Sequence, residues 1–242
     1  MTARAAGTSL AGQCVGDGIV IDISKHFQKI GALDLANKTV TVEPGVIRDD
    51  LNRFLKPHGL FFGPNTSTSN RCTIGGMVGN NSCGSTSIVY GSTRDHTLEL
   101  TTILSDGSEA VFNQQSFDKF KKKAQAQTLE GKIYRQIYDA LSNEEVQQEI
   151  ENNFPKKTVS RRNTGYAVDE LLSYEGFGGE NPTLNLATLL TGSEGTLAFT
   201  TEITLKLDEL PPSKNCMVAA HFNSIKESMD AVLIAMKHNL NI

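Results

Sequence analysis

No apolar run in this chain approaches the ~20 residues needed to cross a bilayer, and its first residues lack the basic-then-apolar order of a signal peptide. A basic surplus is missing too. Lys and Arg number 23 against 27 Asp and Glu, a formal charge of −4, which speaks against a nucleic-acid partner. Cysteine is scarce: Cys14, Cys72, Cys83 and Cys216 show neither CxxC spacing nor a nearby histidine pair, so no zinc or iron–sulfur site is expected. They read as reduced thiols of a cytoplasmic protein. Two nucleotide signatures are absent as well. Without GxxxxGKS or GxxxxGKT the chain is no P-loop kinase or ATPase, and without GxGxxG between strand and helix it has no nicotinamide dinucleotide fingerprint.

What is there is 242 residues, 38% hydrophobic, long enough for one large domain or two small ones with real cores. The stretches GIVIDIS (18–24) and KTVTVEPG (38–45) carry the β-branched residues and turn signals of short strands. Then VIRDDLNRFLKPHG places Ile47, Leu51, Phe54 and Leu55 at helical spacing and stops at Pro57 and Gly59. A long loop without obvious periodicity follows, residues 63–96. After it, TLELTTILSDGSEAVF alternates around Asp106 and Gly107 as a hairpin does.

Residues 113–153 turn charged and helical, with Leu129, Ile133, Ile137 and Leu141 four apart and Ser142 with Glu145 as a capping box. We read them as a helical insertion. The basic clusters, Lys121 to Lys123 and Lys156, Lys157, Arg161 and Arg162, read first as solvated faces and second as a rim attracting an anionic substrate or acidic lipid. In LNLATLLTGSEGTLAFTTEITLKLDELPP two apolar runs flank a GSEGT turn, and Pro211 and Pro212 mark a boundary. Beyond it NCMVAAHF reads as a strand. A helix follows, capped by Ser224 and Glu227, with Ile225, Met229, Val232 and Met236 as its apolar stripe.

Loops of glycine and hydroxyl residues bring backbone N–H groups close to an anion, because no side chain stands in the way. Phosphate is the usual guest. Here such loops occur at residues 4–18 and 63–96, with GSEGT in addition. The motifs RAAGTSLAGQ, GPNTSTSNRCTIGGMVGNNSCG, YGSTRDH, RNTGYAVDEL and LLTGSEGTLAFTTEITLKL resemble, in order, the signatures of the FAD-linked oxidases of the vanillyl-alcohol oxidase and p-cresol methylhydroxylase (PCMH) type. Within that superfamily they are most similar to the D-lactate dehydrogenase and glycolate oxidase flavoproteins.

The resemblance implies an α+β fold: a PCMH-type FAD-binding domain over residues 1–212, lacking its first strand and helix unit, then the start of a substrate-binding cap domain at 213–242. It also implies where non-covalent FAD lies. Arg4, Ala5, Ala6, Gly7, Thr8, Ser9 and Gln13 would wrap the pyrophosphate, with Arg4 alternatively a surface salt bridge. Pro64, Thr73, Ile74, Gly75, Gly76, Asn80, Asn81 and Ser82 would run beside the flavin and ribityl chain, the asparagines alternatively being turn formers. Glu194, Gly195 and Ile203 complete the set, Ile203 alternatively being plain core.

Members of the family oxidise a small 2-hydroxy acid such as D-lactate or glycolate, hydride passing to flavin N5 while a base takes the hydroxyl proton. That base and the carboxylate clamp come from the cap, so none of His26, His58, His96, His221 and His238 is assigned to catalysis. The electron acceptor stays open. With part of both walls expected to be missing, this piece would bind FAD weakly or not at all, show no turnover and self-associate at an uncovered sheet edge. The rival readings are a non-catalytic flavin-fold module or subunit, and another PCMH-type oxidase or reductase. A cytoplasmic protein, alternatively peripheral to the inner face of the membrane, fits all three.

Overall fold

A computed structural model describes the chain except Lys157, Ser160, Thr164, Asn215 and residues 239–242. The Lys157 of the basic cluster, the threonine of RNTGYAVDEL, the first residue of NCMVAAHF and the tail of the last helix therefore lie outside the described residues. The fold is α+β.

The chain opens with β1 (Thr2–Arg4), which pairs in parallel with β2 (Val20–Asp22), so part of the expected opening loop is strand. Next come β3 (Ile30–Asp34) and β4 (Thr39–Val42), and the alternating burial of β4 marks a sheet with one covered face. Helix α1 (Arg48–Leu55) follows, burying Leu51 and Leu55 and ending in a short 3-10 turn at Gly59, as the spacing predicts. After β5 (Leu60–Phe61) the structure departs from the expected long loop. Residues 63–96 hold three helices, α2 (Ile74–Asn80), α3 (Ser87–Tyr90) and α4 (Thr93–His96). Glycine's poor helix propensity hides α2; tertiary packing of Ile74, Met77 and Val78 overrides it.

The hairpin at Asp106 and Gly107 is present, as β6 (Thr97–Ile103) and β7 (Glu109–Phe112). The stretch read as a helical insertion begins with a strand, β8 (Gln114–Ser116), before α5 (Phe117–Ala124), α6 (Leu129–Leu141) and α7 (Glu144–Asn153). The cap of α7 is a correction. Asn143, whose side chain accepts from the Glu145 N–H, fills the place expected of Ser142, which closes α6 instead. Arg162 is not a solvated cation either: it pairs with Asp169 and Glu170 and is largely covered.

Helix α8 (Val168–Leu171) precedes β9 (Thr183–Asn185), which pairs with β8. The first apolar run before GSEGT is thus a three-residue strand followed by a helix, α9 (Ala187–Leu190), rather than one strand. Strand β10 (Phe199–Lys206) is the spine of the main sheet, whose order is β3-β4-β10-β6-β7, antiparallel throughout. Strand β11 (Asp208–Glu209) returns to pair with β5. Residues 216–222 form no strand, against the expectation for NCMVAAHF; they are exposed, with no neighbouring strand to complete a ladder. Helix α10 (Ile225–Ala235) is present and capped by Ser224 as expected.

One core joins sheet and helices. Val40, Val42, Leu100, Ile203 and Leu205 of the sheet pack in the same cluster as Leu51, Ile74, Met77, Phe120, Tyr134 and Tyr174. The helical stretch 117–153 is thereby seated on the sheet, and α2 is pressed against it from the other end of the sequence.

Candidate functional site: a glycine-lined cofactor cleft

Three segments distant in sequence meet at one cleft of about 800 Å³: residues 3–14, 66–82 and 190–200, joined by Ile23 and Pro44. Its size falls in the range of small-molecule and cofactor sites. The first wall is held by β2, through the pairing with β1 and the Ile23 N–H donating to the Arg4 carbonyl at 3.0 Å.

The second wall is α2. Thr73 caps it, its Oγ1 accepting from the Gly76 N–H at 3.2 Å, and the Gly75 N–H donates to the Pro44 carbonyl at 2.8 Å. Gly75 and Gly76 are there because nothing larger fits. A Cβ at Gly75 would lie 2.5 Å from the Pro44 Cβ, and one at Gly76 would lie 2.9 Å from the Ala5 Cβ. Opening loop, Pro44 and helix backbone therefore approach one another without side chains between them.

The third wall is the GSEGT turn. The Gly192 N–H donates to the Val78 carbonyl at 2.9 Å and the Glu194 N–H to the Gly79 carbonyl at 2.8 Å, so the turn satisfies the last carbonyls of α2. Glu194 holds φ +53°, left-handed for a residue with a side chain. Glu194 stands largely open to solvent at the mouth of the cleft. Partial burial nevertheless pushes its carboxyl pKa up, against a hydrogen bond from Gln13 that lowers it.

Most expected site residues meet here: Ala5, Ala6, Gly7, Thr8, Ser9, Gln13, Thr73, Gly75, Gly76, Asn80, Ser82, Glu194 and Gly195 all line the cleft. Five do not. Arg4 reaches Asp22 at 3.6 Å on the surface. Pro64 is buried, its carbonyl accepting from Arg48 Nε at 3.1 Å. Ile74 is 0% exposed because each residue of a helix is turned about 100° from the last, so it packs in the core while Gly75 and Gly76 line the cleft. Asn81 ends α2 in a left-handed conformation, its Oδ1 accepting from the Arg94 N–H at 2.9 Å. Ile203, also 0% exposed, sits mid-sheet in β10 between Val42 and Leu100.

Sequence reasoning missed Thr66, Ser67, Thr68 and Arg71, which line the same wall as α2. Their signal was the hydroxyl run in PNTSTSNR next to a cation. None of the histidines lines the cleft. His96 is buried under Phe62, with Nδ1 3.0 Å from the Ser92 carbonyl and Nε2 2.7 Å from Asp208 Oδ2. Among the described residues no three His, Cys, Asp or Glu side chains gather as a metal site, and no helix is long and apolar enough to cross a membrane.

The donor set suits a dinucleotide such as FAD. Backbone N–H groups and hydroxyls serve phosphates, Arg71 is the cation among the lining residues, and Gln13 Oε1 is a buried acceptor with no partner. Residues 1–113 match a family model described as FAD binding domain. The chain is 39% identical over 210 residues to D-2-hydroxyglutarate dehydrogenase of Escherichia coli (strain K12), covering 87% of this chain and 20% of that protein. It is 36% identical over 240 residues to the D-2-hydroxyglutarate dehydrogenase of Pseudomonas putida, covering 98% and 23%. Glycolate oxidase subunit GlcD of Bacillus subtilis (strain 168) is 39% identical over 105 residues, 43% of this chain and 22% of that one. The chain thus spans about a fifth of the length of these relatives. Among solved structures, an alkyldihydroxyacetonephosphate synthase shares the fold at TM-score 0.53 and 17% identity, over 87% of this chain and 27% of that one. Residues 1–113 thus carry an FAD binding domain, in a chain similar to D-2-hydroxyglutarate dehydrogenases and to a glycolate oxidase subunit.

Proposed function

We propose that the protein containing this chain is an FAD-dependent oxidoreductase acting on a small 2-hydroxy acid. The observation that carries the reading is a cleft whose three walls each bring glycine and hydroxyl residues among small apolar ones, with one lining arginine. Gly7, Thr8 and Ser9 of the opening loop and Thr66, Ser67 and Thr68 of the second segment would offer donors to the two phosphates, and Arg71 would offset part of their charge. The missing side chains of Gly75 and Gly76 let Pro44 and Ala5 close on the helix backbone and so bring the opening loop beside α2 at the ligand. Gln13 Oε1 and the Glu194 carboxyl are acceptors and suit an uncharged, donor-bearing part of the ligand.

Bound FAD supplies the two-electron chemistry that side chains lack. The chain's own residues bind and orient it, and Met77 and Val78, both buried, exclude water from the inner side of α2. The proton acceptor and the substrate carboxylate clamp are not assigned to residues of this cleft.

D-2-Hydroxyglutarate joins D-lactate and glycolate in the substrate panel because of the names its relatives carry. Anaerobic addition of each acid to the complete protein should bleach the flavin absorbance with at least one of them, and NADH should not. Bleaching by NADH alone would indicate a reductase, and tightly held flavin that none of these reagents bleaches would indicate a flavin-binding module.

A further inference from the structure

We propose that Arg94 is the positioning residue of this cleft: from outside it, its guanidinium and backbone fasten the 192–195 turn to α2 and so fix where Glu194 and Gly195 meet the ligand. The inference deepens the FAD reading and rests on it for the ligand's identity alone. Arg94 does not line the cleft. Its Nε donates to the Thr188 carbonyl at 3.1 Å and a terminal nitrogen to the Thr191 carbonyl at 2.7 Å, at the end of α9 where helix carbonyls lack intrahelical donors. Its backbone N–H donates to Asn81 Oδ1 at 2.9 Å, on the residue that ends α2. Asn163 Nδ2 reaches the Asn81 carbonyl at 3.1 Å from a third direction.

Two helices therefore end at one arginine, and the turn between α9 and β10 leaves from that point. The turn's own contacts with α2 are two backbone bonds, from Gly192 to Val78 and from Glu194 to Gly79. Those bonds exist only while α9 and α2 keep their relative placement. A guanidinium is suited to hold it, since its planar fork donates along two fixed directions at once, whereas a lysine ammonium is a point donor on a flexible stem. Among the described residues no carboxylate pairs with Arg94, and the nearby Asp169 and Glu170 are taken by Arg162.

Amide hydrogen exchange on the 242-residue chain, without ligand, tests this. Arg94→Lys should speed exchange at Gly192 and Glu194 by at least about tenfold while β10 and β6 stay protected, a local opening rather than a global one. If that variant fails to fold, Asn81→Gly carries the test. Glycine keeps the left-handed backbone and removes only the side-chain acceptor, so the same two amides should speed up by a smaller factor. Unchanged exchange at Gly192 and Glu194, acceleration shared equally with the sheet, or amides already unprotected in the parent chain would each overturn the inference. Because exchange is read without cofactor, failure of the complete protein to hold FAD would count against the proposed function and leave Arg94's role intact.

Discussion

Gly76 shows how much one position decides. Its N–H is held by Thr73 Oγ1, its missing side chain lets Ala5 of the opening loop come against α2, and a Cβ there would press on the Ala5 Cβ at 2.9 Å. Valine adds two methyls beyond that Cβ, so the opening loop must retreat from α2 and its donors are carried away from the ligand. In the complete protein Gly76→Val should lower flavin retention more than about tenfold, ~1.4 kcal/mol or more, with secondary structure kept. Flavin content equal to the parent's would refute the assignment of this wall. Gly7 and Gly76 were legible as residues of the candidate cleft because small and hydroxyl residues cluster around them in the sequence. Asn81, Ile74 and Ile203 were misplaced for one physical reason: adjacency along the chain does not say which way a side chain turns. Arg71 was overlooked on the same ground, since a loop cation shows its direction only in the fold.

At the scale of elements, α2 is both the centre of the site and the helix hardest to see. Glycines at 75, 76 and 79 disfavour a helix by about 1 kcal/mol each relative to alanine, so propensity argues for loop. Yet Ile74, Met77 and Val78 fall at i, i+3 and i+4, the spacing of a buried helix face, and all three are buried. The periodic signal was present but spanned only two turns. The structure also separates the glycines by what each does. A Cβ at Gly75 would meet the Pro44 Cβ at 2.5 Å, whereas one at Gly79 meets nothing nearer than 3.7 Å. Gly75→Ala should therefore destabilise the chain by about 1–3 kcal/mol, the range for overpacking. Gly79→Ala should be neutral or add up to about 1 kcal/mol through helix propensity. Urea unfolding of the two variants measures both, and equal losses would show that α2 tolerates no side chain on that face. By contrast α1 and the β6–β7 hairpin were plain in the sequence, since local turn signals at Gly59 and at Asp106 with Gly107 bound them.

Across the whole molecule, burial divides the chain sharply. Residues of β3 through β11 share one core, while α10 buries none of its residues, and Ile225, Met229, Leu233 and Ile234 are each at least 60% exposed. Met217 and Val218 before it are more exposed still. The sequence pointed to a break at Pro211 and Pro212, because two prolines cannot continue a sheet, and burial falls away after them. It also marked α10 by its cap and stripe. What it could not show is that the stripe finds no covering surface here, since that depends on every other element's faces being already occupied. An apolar face of this extent drives association in water. The chain should accordingly self-associate as concentration rises, through residues 217–236 rather than through a sheet edge. A chain shortened to residues 1–212 should lose that tendency and keep its unfolding free energy within about 0.5 kcal/mol, because substitutions or deletions away from packed features change little. Light scattering after size exclusion, with urea unfolding beside it, reads both quantities. Association that persists in the shortened chain would move the sticky surface back to the sheet, and a large loss of stability would mean that α10 packs on the domain after all.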